Sequence, residues 1–346
     1  MAMSPSPPPQ TGDAASASDH RARPEHLSVG IVIPFYQREV GILRRALETV
    51  KQQTYPGEIL IAIVDDGSPS PAAAEVEGFA WPAERLLLIR QKNAGPAAAR
   101  NRAMEALPAT IDVIAFLDSD DEWEPEHLER ACAAITNGAD FYFADFARSD
   151  WSDSAFVRAG FPDAEHRAAA NSGEGGALQI SLLKALIKFS GFVQTSTVAL
   201  RRSIAAGLGF PEERKRSFED LLFWSQVSAR CRKVAYATAR DVTCGKGVNI
   251  FASVRWGELA YLDQLYDEVF VLREILATQH VDEEAAGTIK LRLRARYREL
   301  VKALAHFARR GQLDRRRIAH AARLAPALVP AALAVLSAGV TGKQNG

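Results

Sequence analysis

The chain has 346 residues, 47% of them hydrophobic, with 42 basic side chains balanced by 42 acidic ones. That length and apolar fraction suit one large α/β domain, or a domain of about 250 residues with an appendage, and the zero net charge argues against a generally basic nucleic-acid binder. Three widely spaced cysteines, Cys132, Cys231 and Cys244, exclude a disulfide framework and a cysteine metal site, and fit a reducing, cytoplasmic compartment.

Residues 1–27 are rich in Pro, Ser, Ala and charge and lack the apolar core of a signal peptide, so they read as a disordered leader. The run VGIVIPF (29–35) is continuously apolar, as expected of a strand covered on both faces. Residues 39–53 place Val40, Leu43, Leu47 and Val50 on one side of a helix. Further strands are expected at 58–64, 86–90 and 113–117. Gly95 and Pro96 open an Ala-rich helix running to about Leu107, and Pro125 starts another. FYFADF (141–146) reads as a fifth strand. Residues 148–173 form a polar insertion, followed by a helix over 175–189 and a strand over 193–200. A helix over 217–230 has Ser217 as candidate N-cap, and a strand follows at 233–238. From 257 to 323 the pattern is helical. Alternating strands and helices predict a mostly parallel sheet with helices on both faces, and ligands bind beyond the carboxyl ends of such strands. PFYQR, DDGS, QKNAG and DSDD all fall at those ends, so the four polar clusters form one expected site.

FLDSDDEW (116–123) carries the strongest chemistry. A hard divalent cation needs carboxylate oxygens, and Asp118, Asp120 and Asp121 sit at the rim of a strand. The same residues also suit a solvated loop or a cap for the helix after Pro125. In VDDGSPS (64–70), Asp65 and Asp66 end a buried strand and can accept a hydrogen bond from a nucleobase N–H, or simply build a turn. In NAGPAAARNRA (93–103), Arg100 can reach a base or phosphate, or lie solvated on a surface helix. In FED (218–220), Glu219 and Asp220 begin a helix, where a carboxylate can take a proton from a hydroxyl, or serve as favourable charge at a helix start. Lys246, between two glycines, can touch a diphosphate or belong to a plain surface loop.

In this order, IPFYQR, VDDGS, NAGPAAARN, FLDSDD and FEDLLFW resemble the pattern of glycosyltransferase family 2 over residues 28–240. PFYQRE, FYFADF and GKGVNIF make the chain look most like the bacterial exopolysaccharide enzymes, especially succinoglycan-type glucosyltransferases. The resemblance implies the GT-A fold, an α/β nucleotide-diphospho-sugar transferase architecture over residues 28–256, with a helical, basic C-terminal extension over 257–346. It implies a UDP-sugar donor, with glucose as the family-level sugar, a glycan or lipid-linked acceptor, and Mg2+ or Mn2+ as cofactor. By motif, Pro34 and Tyr36 would line the nucleoside site, Asp65 or Asp66 would bind the base, and Arg100 would support base or ribose. Asp118 would lie near ribose or metal, Asp120 would coordinate the metal, and Asp220 would be the base of a single inverting displacement. Gln37 departs from the Asn usual after the first-strand aromatic. The Gln-x-x-Arg-Trp motif of processive synthases is absent, the nearest Arg-Trp being Arg255-Trp256, so transfer of single sugars is expected. A sugar-phosphate nucleotidyltransferase is disfavoured because the first loop has no glycine run. A non-catalytic binding protein on the same sheet is disfavoured by the intact carboxylates.

Residues 286–323 contain twelve Lys or Arg and two acidic residues, and the apolar segment 324–340 follows. No segment reaches the ~20 apolar residues of a transmembrane helix. Two readings stand side by side. Residues 286–340 contact an anionic membrane at the inner face of the cell, or the helices pack on the catalytic domain with Arg facing water. No stacking platform accompanies the basic tail to suggest nucleic acid.

Overall fold

The computed structural model describes residues 25–169, 174–189, 191–213, 218–245, 254–277 and 281–324. The first half alternates β1 (Val29–Phe35), α1 (Ile42–Lys51), β2 (Ile59–Asp65), the short α2 (Ala72–Val76), β3 (Leu86–Arg90), α3 (Pro96–Ala106) and β4 (Val113–Phe116). Next come β5 (Glu122–Trp123), α4 (His127–Thr136) and β6 (Phe141–Arg148). The middle segment holds α5 (Ala155–Ala159), α6 (Ala164–Ala169), β7 (Gly175–Ala177), α7 (Leu182–Lys188), β8 (Ala199–Arg201) and α8 (Arg202–Ala205). The chain continues through α9 (Glu219–Ser228), β9 (Val234–Cys244), α10 (Leu259–Ala277), α11 (Glu283–Arg309) and α12 (Arg315–Leu324).

The strands form one sheet in the order β3-β2-β1-β4-β8-β6-β9-β5, with β7 also on β9. Pairs β1–β2, β2–β3, β1–β4 and β6–β9 are parallel; β8 runs antiparallel between β4 and β6. This is the mostly parallel, helix-covered GT-A sheet with C-terminal helices. The continuous apolar runs follow from burial of both faces, because side chains alternate along a strand. Val32, Ala62, Val64 and Phe116 face a core completed by α3, α7 and α9. Ile31, Ile33, Ile61, Ile63 and Ala115 face a second core completed by α1 and α4.

Several boundaries differ from expectation for local reasons. The first helix begins at Ile42, not 39, because Gly41 enters in the left-handed region. The helix expected over 175–189 starts only at Leu182, where the Ser181 side chain caps Lys184 N–H; residues 175–177 instead extend along β9. The strand expected over 193–200 is a 3-10 turn at Thr195–Thr197 followed by β8. The strand after α9 runs on to Cys244, since β6 offers a partner for that whole length. Ser217 lies outside the described residues, and the residue before α9 is Phe218.

Helices α10 to α12 share a third core with α7 and α9, built from Leu183, Leu222, Leu272, Leu300 and Phe307 among others. Among the described residues no helix is long and apolar enough to cross a membrane. Leu300 is fully buried on α11. Leu300→Ala should therefore lower unfolding free energy by about 2–5 kcal/mol in urea denaturation; a loss below about 1 kcal/mol would mean that α11 does not pack as described.

Candidate active site

A cavity of about 680 Å3 opens at the carboxyl ends of β1, β2, β4, β6 and β9. That edge is where a parallel sheet leaves room for a ligand. Tyr36, Asp66, Asn93 and Asp118 all line it, so the four polar loops meet as expected. Pro34, Arg100, Asp120 and Asp220 line it as well. Asp65 does not, and Lys246 lies outside the described residues.

The two aspartates of DDGS part company. The Asp65 carboxylate accepts from Ser68 N–H at 2.7 Å and Ala72 N–H at 3.1 Å, so it shapes the turn into α2. Asp66 points the other way. Its Oδ1 accepts from Ala94 N–H and Gln91 Nε2, and its Oδ2 from Gly95 N–H, each at 2.8 Å. A carboxylate offers about four acceptor sites. Asp66 therefore orders the entry to α3, with three of its acceptor sites taken. Gln37, the departure from the Asn pattern, is buried, and its Nε2 donates to Ser119 Oγ at 3.2 Å, joining the first loop to the acidic turn.

Arg100 is the centre of the site's charge. It is 5% exposed, donates to Asp118 Oδ1 at 2.7 Å and to Glu219 Oε1 at 3.0 Å, and lies over the Phe210 ring. Burial alone would weaken its charge, but Asp118 and Glu219 outweigh that and hold its pKa above the usual guanidinium value. Glu219 was part of the FED motif, but nothing local signals a partner 119 positions away.

The acidic turn has its own anchor. Asp121 Oδ2 accepts from Ser196 Oγ at 2.5 Å and Gln194 Nε2 at 2.9 Å, while Oδ1 accepts from Gly245 N–H at 2.9 Å. Burial, then Asp118 and Asp120, push the Asp121 carboxyl up to about 8. Gly245 passes so close that an added Cβ would overlap the Asp120 carbonyl. Gln194 and Ser196 are site residues that an apolar strand reading conceals; the polar run QTST at 194–197 is the only trace of them.

Phe218 lines the cavity with φ of 60°, a left-handed conformation costly for a side chain of this size, and it presents Glu219 and Asp220 at the start of α9. Burial and the neighbouring Glu219 push the Asp220 carboxyl up to about 7, with the Leu221 N–H and Arg100 pulling the other way. A carboxyl held there exchanges its proton near neutral pH.

Among the described residues no group of three or more His, Cys, Asp or Glu side chains is gathered to hold a metal unaided. Asp118 and Asp120 nevertheless line one cavity. Two carboxylates are what a Mg2+-type ion takes when substrate phosphates complete its shell. The donor set thus fits a divalent cation that arrives with a phosphorylated ligand.

The family model described as Glycosyl transferase family 2 matches residues 30–205. The chain is 34% identical over 242 residues to the succinoglycan biosynthesis protein ExoW of Rhizobium meliloti (strain 1021), covering 68% of this chain and 75% of that protein. It is 29% identical over 195 residues to the amylovoran biosynthesis glycosyltransferase AmsB of Erwinia amylovora, covering 54% of this chain and 59% of that one. Its fold resembles the crystal structure of S. aureus TarS 1-349 in complex with UDP-GlcNAc. The TM-score is 0.59 at 18% identity, over 92% of this chain and 93% of that one.

The Arg100 ion triad makes a direct test. Arg100→Met strands two carboxylates, so stability should fall by about 3 kcal/mol, read as a lowered urea midpoint. A variant as stable as the parent would show that the triad bears no load.

Proposed function

The chain belongs to glycosyl transferase family 2 and is a glycosyltransferase, and from that premise we propose that it moves a single sugar from a UDP-sugar, UDP-glucose foremost, to an acceptor hydroxyl in the making of an exopolysaccharide or other surface glycan. The observation that carries the reading is one cavity lined by Asp118, Asp120 and Asp220 at the strand ends. ExoW and AmsB are named for polysaccharide biosynthesis, and the S. aureus structure holds a UDP-sugar, which supports both halves of the proposal.

Pro34 and Tyr36 wall the nucleoside. Asp66, rather than the turned-away Asp65, takes the base N–H with its remaining lone pair. Arg100 holds Asp118 in place instead of reaching the donor itself. Asp118 and Asp120 would hold Mg2+ or Mn2+, which when bound neutralises charge developing on the leaving diphosphate. Asp220 takes the proton of the acceptor hydroxyl, and attack from that side in one displacement inverts the anomeric centre. Single transfer rests on the missing Gln-x-x-Arg-Trp motif.

The C-terminal helices combine the two sequence readings. Ile289, Leu293, Leu300, Leu304 and Phe307 of α11 pack inward. Lys290, Arg294, Arg298 and Lys302 are exposed and recur every fourth residue, on one face of the helix. This stripe serves peripheral adsorption to an anionic membrane without insertion of the described helices; the apolar segment 325–340 lies outside the described residues.

Three measurements test these assignments. Asp120→Ala should abolish Mn2+-dependent hydrolysis of UDP-glucose, and a variant that keeps metal-dependent turnover would sink the metal assignment. Asp220 must be ionised to act, so log kcat/KM should rise with unit slope up to pH about 7 and flatten above it; Asp220→Asn should cost about a hundredfold or more in rate. An acid limb near pH 4 would remove Asp220 from this role. Replacing Lys290, Arg294 and Arg298 together by Gln should weaken binding to phosphatidylserine vesicles by about a hundredfold, at about 1 kcal/mol per charge, and unchanged binding would end the membrane proposal.

A further inference from the structure

The cavity has a second wall, opposite in charge to the acidic turn. In sheet order β6 lies beyond β8 from the strands β1, β2 and β4 that present Tyr36, Asp66 and Asp118. At the end of β6, Phe146, Arg148 and Trp151 line the same cavity. Phe146 is buried and packs on Trp151 with ring centroids 5.7 Å apart. The Arg148 guanidinium carbon is 5.4 Å from the Trp151 ring centre, and that of Arg158, from α5, is 4.5 Å from the same ring. One indole thus carries two guanidiniums.

Their charge is only partly answered. Arg148 Nε donates to Asp150 at 3.2 Å, but Asp150 is more than half exposed, so water screens that pair. Among the described residues Arg158 pairs with no carboxylate. Cation–π contact on this half-buried ring contributes about 1 kcal/mol per guanidinium. It fixes the direction of the two cations and leaves their outer N–H groups available. Planar guanidinium forks match carboxylate and phosphate oxygens. The donor diphosphate does not need them, because on the proposed reading it sits at Asp118 and Asp120 with its cation. What remains on the β6 side of Asp220 is the space for the acceptor.

Resting on the proposed transferase reading, we infer that Arg148, on the cavity wall, receives an anionic oxyacid group carried by the saccharide acceptor, with Arg158 adding its charge from outside the lining across the shared Trp151 ring. The acceptor is therefore an acidic or phosphate-bearing glycan rather than a neutral one. A uronic acid within the glycan and a phosphate linking it to a carrier present the same chemistry, and the test separates them.

The full chain is first titrated with UDP and Mn2+ by calorimetry. The loaded protein is then titrated with methyl glucuronide, with glucose 1-phosphate and with methyl glucoside. Charged ligands should bind about tenfold more tightly than the neutral glycoside, as expected for a charge-assisted pair. Arg148→Gln with Arg158→Gln should erase that preference while UDP affinity stays unchanged. Preference for the glucuronide assigns the anion to an acceptor sugar, and preference for glucose 1-phosphate assigns it to a phosphate linkage. Equal binding of charged and neutral ligands would overturn the inference, as would a preference that survives both substitutions. Should the double variant fail to fold, Arg158→Gln alone, on an exposed side chain, must at least halve the preference. Failure of UDP to bind the wild type would strike the donor reading instead. The charged-against-neutral comparison then decides the acceptor inference on the unloaded protein.

Discussion

Everything at the active edge depends on a guanidinium trapped between two carboxylates. Arg100 gives up most of its hydration, a cost of several kcal/mol that only close, opposite charges can offset. Asp118 comes from the end of β4 and Glu219 from the start of α9, so one buried cation ties the acidic turn to the helix that carries Asp220. The tie is electrostatic and directional. A hydrophobic contact of the same size would join those elements but would not set the angle between them. Phe210 under the guanidinium removes the remaining freedom.

This arrangement divides the labour among chemically identical side chains. Asp65 is a turn-builder, Asp66 a loop clamp with one acceptor site to spare, and Asp121 an anchor for Ser196, Gln194 and Gly245. Asp118, Asp120 and Asp220 are the ones left lining the cavity. Environment alone separates them: burial and crowded like charge lift Asp121 and Asp220 to neutral values. The carboxylates that line the cavity are placed by the ones that hold the loops still.

Much of the fold was legible because its physics is local. VGIVIPF and ILIAIVD are apolar at every position since both faces are covered, and Gly95-Pro96 opens α3 where the residue types predict. Motif order likewise marked Pro34, Tyr36, Arg100, Asp118, Asp120 and Asp220 as neighbours. What stayed hidden is set by distant partners. Nothing within 175–189 reveals that Gly175 to Ala177 would lie on β9 rather than start a helix. Nothing in DDGS tells which aspartate turns inward, since that depends on Ala94 and Gly95 arriving from beyond β3. Of the two readings of the tail, packing is what the inner face shows, through Leu293, Leu300 and Leu304.

The antiparallel strand β8 has a bearing on how such a chain is born. It inserts between β4 and β6, both of which precede it by more than fifty positions. A nascent polypeptide that has emerged only as far as α7 carries two strand edges with nothing between them, and open edges invite pairing with strangers. The sheet closes only when Ala199 to Arg201 slot in, and the helix carrying Glu219 and Asp220 follows later still. Catalytic competence is thus withheld until nearly the whole transferase core has left the ribosome.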